Sequence, residues 1–160
     1  MDNSCGAGLS ARKVDYLKYI HEHDGSVRTG DLAARFGVDP STISKTIREL
    51  AQDGFLSCAP YQRIRLSAYG KREAEYCIKR HRILSLLFTH YGFSPEQACS
   101  EVSRFESYVS RDAVDQICRT MGHPQAAGCG AITHDAGCLG EGKAPEDLAS
   151  PDPIWKGGQR

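Results

Sequence analysis

Two groups of residues in this 160-residue chain could do chemistry, and they ask for different partners. The first is a run of short hydroxyls and cations, Ser41, Thr42, Ser44, Lys45 and Arg48, followed by Gln62, Arg63 and Arg65. Hydroxyls of this size reach phosphates or base edges, while Lys and Arg release counterions from a phosphate backbone and contact guanine. The second group is sulfur: cysteines stand at 5, 58, 77, 99, 118, 129 and 138. An odd count in a chain whose first ten residues lack an apolar run argues against export and against a disulfide scaffold, so a cytoplasmic protein with reduced thiols is expected. Cys77 and His81 share a helix face at i, i+4, and Gly122-His123-Pro124 leads from Cys118 towards Cys129 and Cys138. Thiolates so placed would favour Zn²⁺, an Fe–S centre or another soft metal. With no Cys-x-x-Cys pair, each cysteine also reads as a small buried apolar side chain.

The elements that must position these groups follow from periodicity and caps. Val14, Leu17 and Ile20 repeat at three within a first helix over 11–23. Thr29 reads as the N-cap of a short helix ended by Gly37, and Asp39-Pro40 opens a second, over 41–53, with Ile43, Ile47 and Leu50 inward. Phe55–Cys58 and Arg63–Leu66 read as strands joined by a hairpin loop at 59–62. A long helix over about 71–91 follows, then helices capped by Ser94 and Ser110. Residues 123–160 hold seven of the 16 glycines and four of the seven prolines, and read as mostly flexible. Helix, tight turn, helix and hairpin in that order make a winged helix-turn-helix, with Ser41, Thr42, Ser44, Lys45 and Arg48 on the outer face of the recognition helix.

A net charge of zero argues at first against a nucleic-acid partner. Divided along the chain, it does the opposite. Residues 28–82 hold 11 Lys and Arg against six Asp and Glu, a local +5 balanced by −5 elsewhere. Arg28 and Thr29 extend the basic, hydroxyl-bearing face. No apolar run is long enough to span a membrane, and no nucleophile–base set, phosphate loop or His-Glu-x-x-His motif points to an enzyme or a small-molecule substrate.

Four segments, Asp15-Tyr16-Leu17-Lys18-Tyr19-Ile20, Asp39-Pro40-Ser41-Thr42-Ile43-Ser44-Lys45, Asp53-Gly54-Phe55-Leu56 and Lys79-Arg80-His81-Arg82-Ile83-Leu84, resemble the diphtheria toxin repressor and manganese transport regulator family of metal-dependent repressors. The resemblance covers about 12–122 and implies the short form, without the SH3-like domain of larger members. It implies divalent Fe²⁺ or Mn²⁺ as co-repressor, and Asp15, His81 and Glu106 as matches to family metal ligands. Cys99 takes the place of an ancillary histidine. Ser103 and Ser107 stand where the family has ligands, Lys18 where manganese-type members have a second acid, and Ser85 where an ancillary glutamate is usual. Cys99, Ser103 and Glu106 share one helix face, which places the pocket there.

The expected fold is mainly α: a winged helix-turn-helix DNA-binding domain over 1–70, an all-helical dimerisation and metal-binding domain over 71–122, and a tail over 123–160. The expected function is metal-dependent repression from double-stranded operator DNA by a homodimer, with Leu84, Leu87, Phe88, Val102, Phe105 and Val109 available to its interface. The expected ligands are Asp15, His81, Cys99 and Glu106, with His21, His23 and His134 left to solvent. Two alternatives remain: a DNA-binding regulator that senses redox state, Fe–S or a soft metal through its cysteines, and a winged-helix interaction module with no DNA target.

Overall fold

The structure, a computed structural model, describes residues 9–57 and 63–140; the expectations for Cys5, Cys58, the hairpin loop and the last twenty residues fall outside that range. Helix α1 (Ala11–Glu22) starts where the Ser10 hydroxyl accepts the Lys13 N–H, and turns Val14, Tyr16, Leu17 and Ile20 inward. Strand β1 (Ser26–Val27) is too short for a periodic signal and was not expected. Helices α2 (Thr29–Phe36) and α3 (Pro40–Gln52) meet at Gly37, whose φ of 60° closes the tight turn. Strands β2 (Leu56–Ser57) and β3 (Ile64–Leu66) complete an antiparallel sheet in the order β1-β3-β2, with Val27 opposite Ile64 and Ser57 opposite Arg65. Thr29 is the first helical residue rather than the cap. The Asp31 carboxylate accepts the Arg28 N–H at 3.0 Å and so moves the start of α2 back by one residue.

A glycine and a serine join the wing to the second half of the chain. The Ser67 hydroxyl accepts the Gly70 N–H at 2.9 Å and donates to the Gly54 carbonyl at 2.6 Å, which starts helix α4 (Ala68–His90) directly on the wing. A Cβ on Gly70 would run into the Phe55 carbonyl, so only glycine allows this approach. Helix α4 buries Ala74, Tyr76 and Cys77 and packs on both α1 and α5 (Pro95–Phe105). The Ser94–Gln97 capping box starts α5, and one 3-10 turn (Glu106–Tyr108) leads to α6 (Arg111–Thr120). Cys77 belongs to the core at 0% exposure, so it is a packing residue and not a partner of His81. Leu84 and Val102 are likewise spent on the core of the single chain. Leu87, Phe88, Phe105 and Val109 stay half-exposed.

The segment after Gly122 departs most from expectation. Over 123–140 it forms a hairpin, β4 (Ala126–Ala127) with β5 (Gly130–Ala131), then a short helix α7 (Ala136–Leu139). Large aliphatics are few, but Ile132 and Cys138 enter the core, Gly128 lies against Pro95, and the Arg82 guanidinium donates to the Ala131 carbonyl. Polar anchors hold this segment where composition alone offers no core.

Beneath it, Lys79 is 2% exposed and donates to Asp115 at 2.7 Å and Asp135 at 3.2 Å, tying α4 to α6 and to the start of α7. Burial works against the Lys79 ammonium, yet the two carboxylates raise its pKa above the ordinary value. Removing one member of a buried pair strands the other in a poor solvent. Lys79→Met should therefore cost about 3–5 kcal/mol in chemical denaturation, and Lys79→Met/Asp115→Leu should recover most of it, since volume is kept and no charge is orphaned.

Candidate metal centres and nucleic-acid interface

Glu106 is 5% exposed, and both its oxygens are engaged. Lys18 of α1 donates to Oε1 at 2.5 Å, and His81 of α4 meets Oε2 through Nδ1 at 2.7 Å. Burial alone would raise this carboxyl, but His81 and Lys18 hold it below its ordinary value. Asp15, one turn earlier on α1, reaches solvent. Desolvation still raises its carboxyl, against the pull of Lys18 and with added repulsion from Glu106. Lys18 thus puts an ammonium on the carboxylate, with Asp15 nearby, where an acid-rich pocket would put a metal ion.

With Nδ1 on Glu106, His81 keeps Nε2 for other partners. His81, Cys99 of α5 and Cys129 of the β4–β5 turn bring ligand atoms within 4.8 Å of one another. The Cys129 sulfur, followed by Glu106, pushes the His81 imidazole up to about 10, and His81 in turn lowers the Cys129 thiol. Imidazole and two thiols form a borderline-to-soft donor set, and the Glu106 carboxylate on Nδ1 fixes the orientation of the His81 ring. Of the four expected ligands, the structure joins His81 and Cys99 in one cluster, places Glu106 behind His81, and leaves Asp15 at the margin. Ser103 turns its hydroxyl to the Cys99 carbonyl of its own helix. The sequence offers Cys129 as a soft-metal thiolate beyond the Gly-His-Pro turn but does not pair it with His81 and Cys99. What puts it here is the hairpin, which glycine-rich composition hides.

A second cluster joins Cys118, His123, His134 and Cys138. His134, expected to be solvated, is half-buried among these sulfurs. Burial, with Cys138 beside it, pushes the Cys118 thiol up to about 12.

In the N-terminal half, Ser41, Thr42, Ser44, Lys45 and Arg48 are all exposed along α3, as a recognition helix requires. Arg28 is exposed beside the half-buried Thr29 at the start of α2. In the wing, Arg65 is exposed, whereas Arg63 donates to the Ser26 hydroxyl at 3.1 Å and the Ser26 carbonyl at 2.9 Å, bracing β3 on β1.

Two family models cover most of this architecture. One, the N-terminal DNA-binding domain of the iron-dependent repressor, matches residues 8–64; the other, the metal-binding and dimerisation domain of the same repressor, matches residues 67–132. The chain belongs to the iron-dependent repressor family. Transcriptional regulators MntR from Salmonella typhimurium and Escherichia coli are each 32% identical over 104 residues, 63% of this chain. The chain spans 66% of the first of these relatives and 67% of the second. A manganese-dependent transcriptional repressor in complex with manganese superposes with a TM-score of 0.62 at 29% identity, covering 77% of this chain and 62% of that one. A hypothetical protein from Sulfolobus solfataricus shares the fold over 96% of its length, with a TM-score of 0.66 at 18% identity and 78% of this chain covered.

The interface geometry separates two kinds of cation. Lys45→Ala and Arg48→Ala should each weaken duplex binding across sequences and reduce the salt slope by roughly one unit if they meet phosphate, as anisotropy titrations over a salt series would read. Arg63→Ala should act mainly by loosening the wing, so its effect on binding should be matched by a lowered melting temperature.

Proposed function

We propose that the protein is a metal-dependent DNA-binding repressor, acting as a homodimer, whose sensing ion is held by His81, Cys99 and Cys129. The observation that carries this reading is the convergence of those three ligand atoms from α4, α5 and the β4–β5 turn. Three protein ligands leave a position for solvent, the arrangement of an exchangeable site rather than a sealed one. Two sulfurs and an imidazole favour Fe²⁺ or Zn²⁺ over Mn²⁺, which binds N and S donors most weakly of the first-row divalent ions. The ion would supply positive charge that draws two thiolates and an imidazole together.

This chain's own residues carry the consequence to DNA. His81, once fixed on its Nε2 side, fixes Glu106 through Nδ1, and Glu106 holds Lys18 of α1. Helix α1 bears on α3 through Lys13, 3.1 Å from Glu49, and through the shared core of Leu17, Ile20, Ile43 and Leu50. A change at His81 thus reaches the recognition helix over a contiguous set of contacts. In a two-fold dimer it would set the spacing of two recognition helices against half-sites about one helical turn apart. The half-exposed Leu87, Phe88 and Phe105 at the far end of α4 and on α5 suit such a dimer.

The test uses duplexes enriched from a random pool in the presence of Fe²⁺, Zn²⁺ or Mn²⁺, then titrated with and without each ion. Fe²⁺ or Zn²⁺ should raise affinity on the order of tenfold or more, the scale of ordinary site-to-site coupling, and Mn²⁺ should do far less. His81→Ala and Cys129→Ser should lose that response and keep the salt-sensitive background. Equal affinity under every metal condition would defeat the sensing reading, and no affinity for any duplex would defeat the DNA reading.

A further inference from the structure

We propose that Cys118, His123, His134 and Cys138 form a second metal centre, a closed structural site for Zn²⁺ that folds residues 123–140 onto α4 and α6. The sequence pattern is C-x4-H-x10-H-x3-C, and its four residues come from α6, from the turn that ends it, from the link between β5 and α7, and from α7. The separations suit a single ion. Cys118 Sγ lies 3.3 Å from Cys138 Sγ, 3.5 Å from His134 Nδ1 and 3.7 Å from His123 Nδ1. Cys138 Sγ lies 3.4 Å from His123 Nδ1 and 3.7 Å from His134 Nδ1. A tetrahedron built on Zn–S of about 2.3 Å and Zn–N of about 2.0–2.1 Å has edges of roughly 3.3–3.8 Å. The sulfurs are also well beyond the roughly 2.05 Å of a disulfide.

The surroundings are those of a ligand set. His134 Nε2 faces the Pro124 carbonyl at 3.1 Å; a carbonyl only accepts, so Nε2 carries the proton and Nδ1 presents its lone pair to the sulfurs. The Cys138 N–H donates to Asp135, which Lys79 and Arg111 hold in turn. His123 sits at φ 54°, directly after Gly122 at φ 72°. Side-chain-bearing residues rarely take that conformation, and here it turns the ring back towards Cys118 at the end of α6. Both cysteines are 0% exposed and both histidines are half-buried, so the site is better covered than the His81 cluster with its exposed Cys129. Two cysteines and two histidines with no open position are the donor set and closure of structural zinc.

The chain between the two histidine ligands carries Cys129. Zinc at this site would close that segment into a loop whose tip is pressed on Pro95 and Arg82, and so present Cys129 to His81 and Cys99. This second step rests on the sensing reading above; the zinc site itself does not.

Full-length protein purified under reducing conditions and washed with a mild chelator tests both steps. Metal analysis should find about one tightly held zinc per chain in Cys129→Ser and His81→Ala as well as in the wild type, with X-ray absorption showing two sulfurs near 2.3 Å and two nitrogens near 2.0–2.1 Å. Cys118→Ser and Cys138→Ser should lose that zinc. They should also weaken metal binding at the His81 cluster about 10- to 100-fold, the cost of removing an orienting partner. Should those variants fail to fold, the spectrum of Cys129→Ser carries the test alone. No zinc after washing, an oxygen-only shell, or a Cys118–Cys138 disulfide would overturn the site. Retained zinc with a DNA affinity indifferent to Cys129 would overturn the sensing reading and leave the structural centre standing.

Discussion

Glu106 is a carboxylate taken out of water, and such a group persists only when its charge is met on the spot. Lys18 and His81 meet it from two helices, one in each half of the molecule. Because both oxygens are used, the lysine ammonium, the carboxylate and the imidazole have little freedom to move independently. The orientation of His81 follows, and with it the face offered to Cys99 and Cys129. Lys18 also explains why the acid-rich pocket suggested by the family resemblance is not simply available. A divalent ion beside Glu106 would have to displace an ammonium already paired at 2.5 Å. Ligation on the other side of the imidazole avoids that conflict and keeps Glu106 as the group that orients the ring.

Elements with local signals were legible in the sequence; those made by distant partners were not. Helix α3 could be read from Asp39, Pro40 and the Ile43–Ile47–Leu50 stripe because cap and periodicity lie within one window. The same holds for α5, where Ser94 and Gln97 cap each other. Strand β1 has two residues and owes its existence to pairing with β3, a long-range contact without a pattern of its own. At the site, His81 and Cys99 could be proposed by position, but the division of labour between Glu106 and the sulfurs depends on Lys18, whose charge matters only once α1 packs on α4. His134 was invisible for a related reason. It lies in a glycine-rich stretch where the rule that ordered chain needs large aliphatics gives the wrong answer.

The charge division along the chain acquires a structural meaning. Basic residues on the outer face of α3, and Arg65 on the wing, stay solvated and available, whereas several charges in the second half are turned inward and neutralised in pairs. Lys79 against Asp115 and Asp135 is the deepest of these, and Arg111 bridges Asp135 to Glu73 over the Tyr76 ring. Such pairs add little net stability compared with apolar packing, but an unpaired member is expensive, so they specify one arrangement of α4, α6 and α7. That specificity matters in a segment whose aliphatic core is thin.

Two clusters of similar donors, placed at either end of one small hairpin, differ in their access to water. Cys118 and Cys138 are fully covered, and four protein donors leave an ion there nothing to exchange with. The His81 cluster has three donors, and one of them, Cys129, is exposed. An incoming ion or a competing thiol meets the His81 cluster at the exposed Cys129, whereas both sulfurs of the Cys118–Cys138 cluster are covered. That difference suits the roles proposed for them, the covered cluster for a structural ion and the open one for an exchangeable ion. Zinc at the buried centre, as proposed, would steady the loop that carries Cys129, so the sensing ion would meet a site already formed.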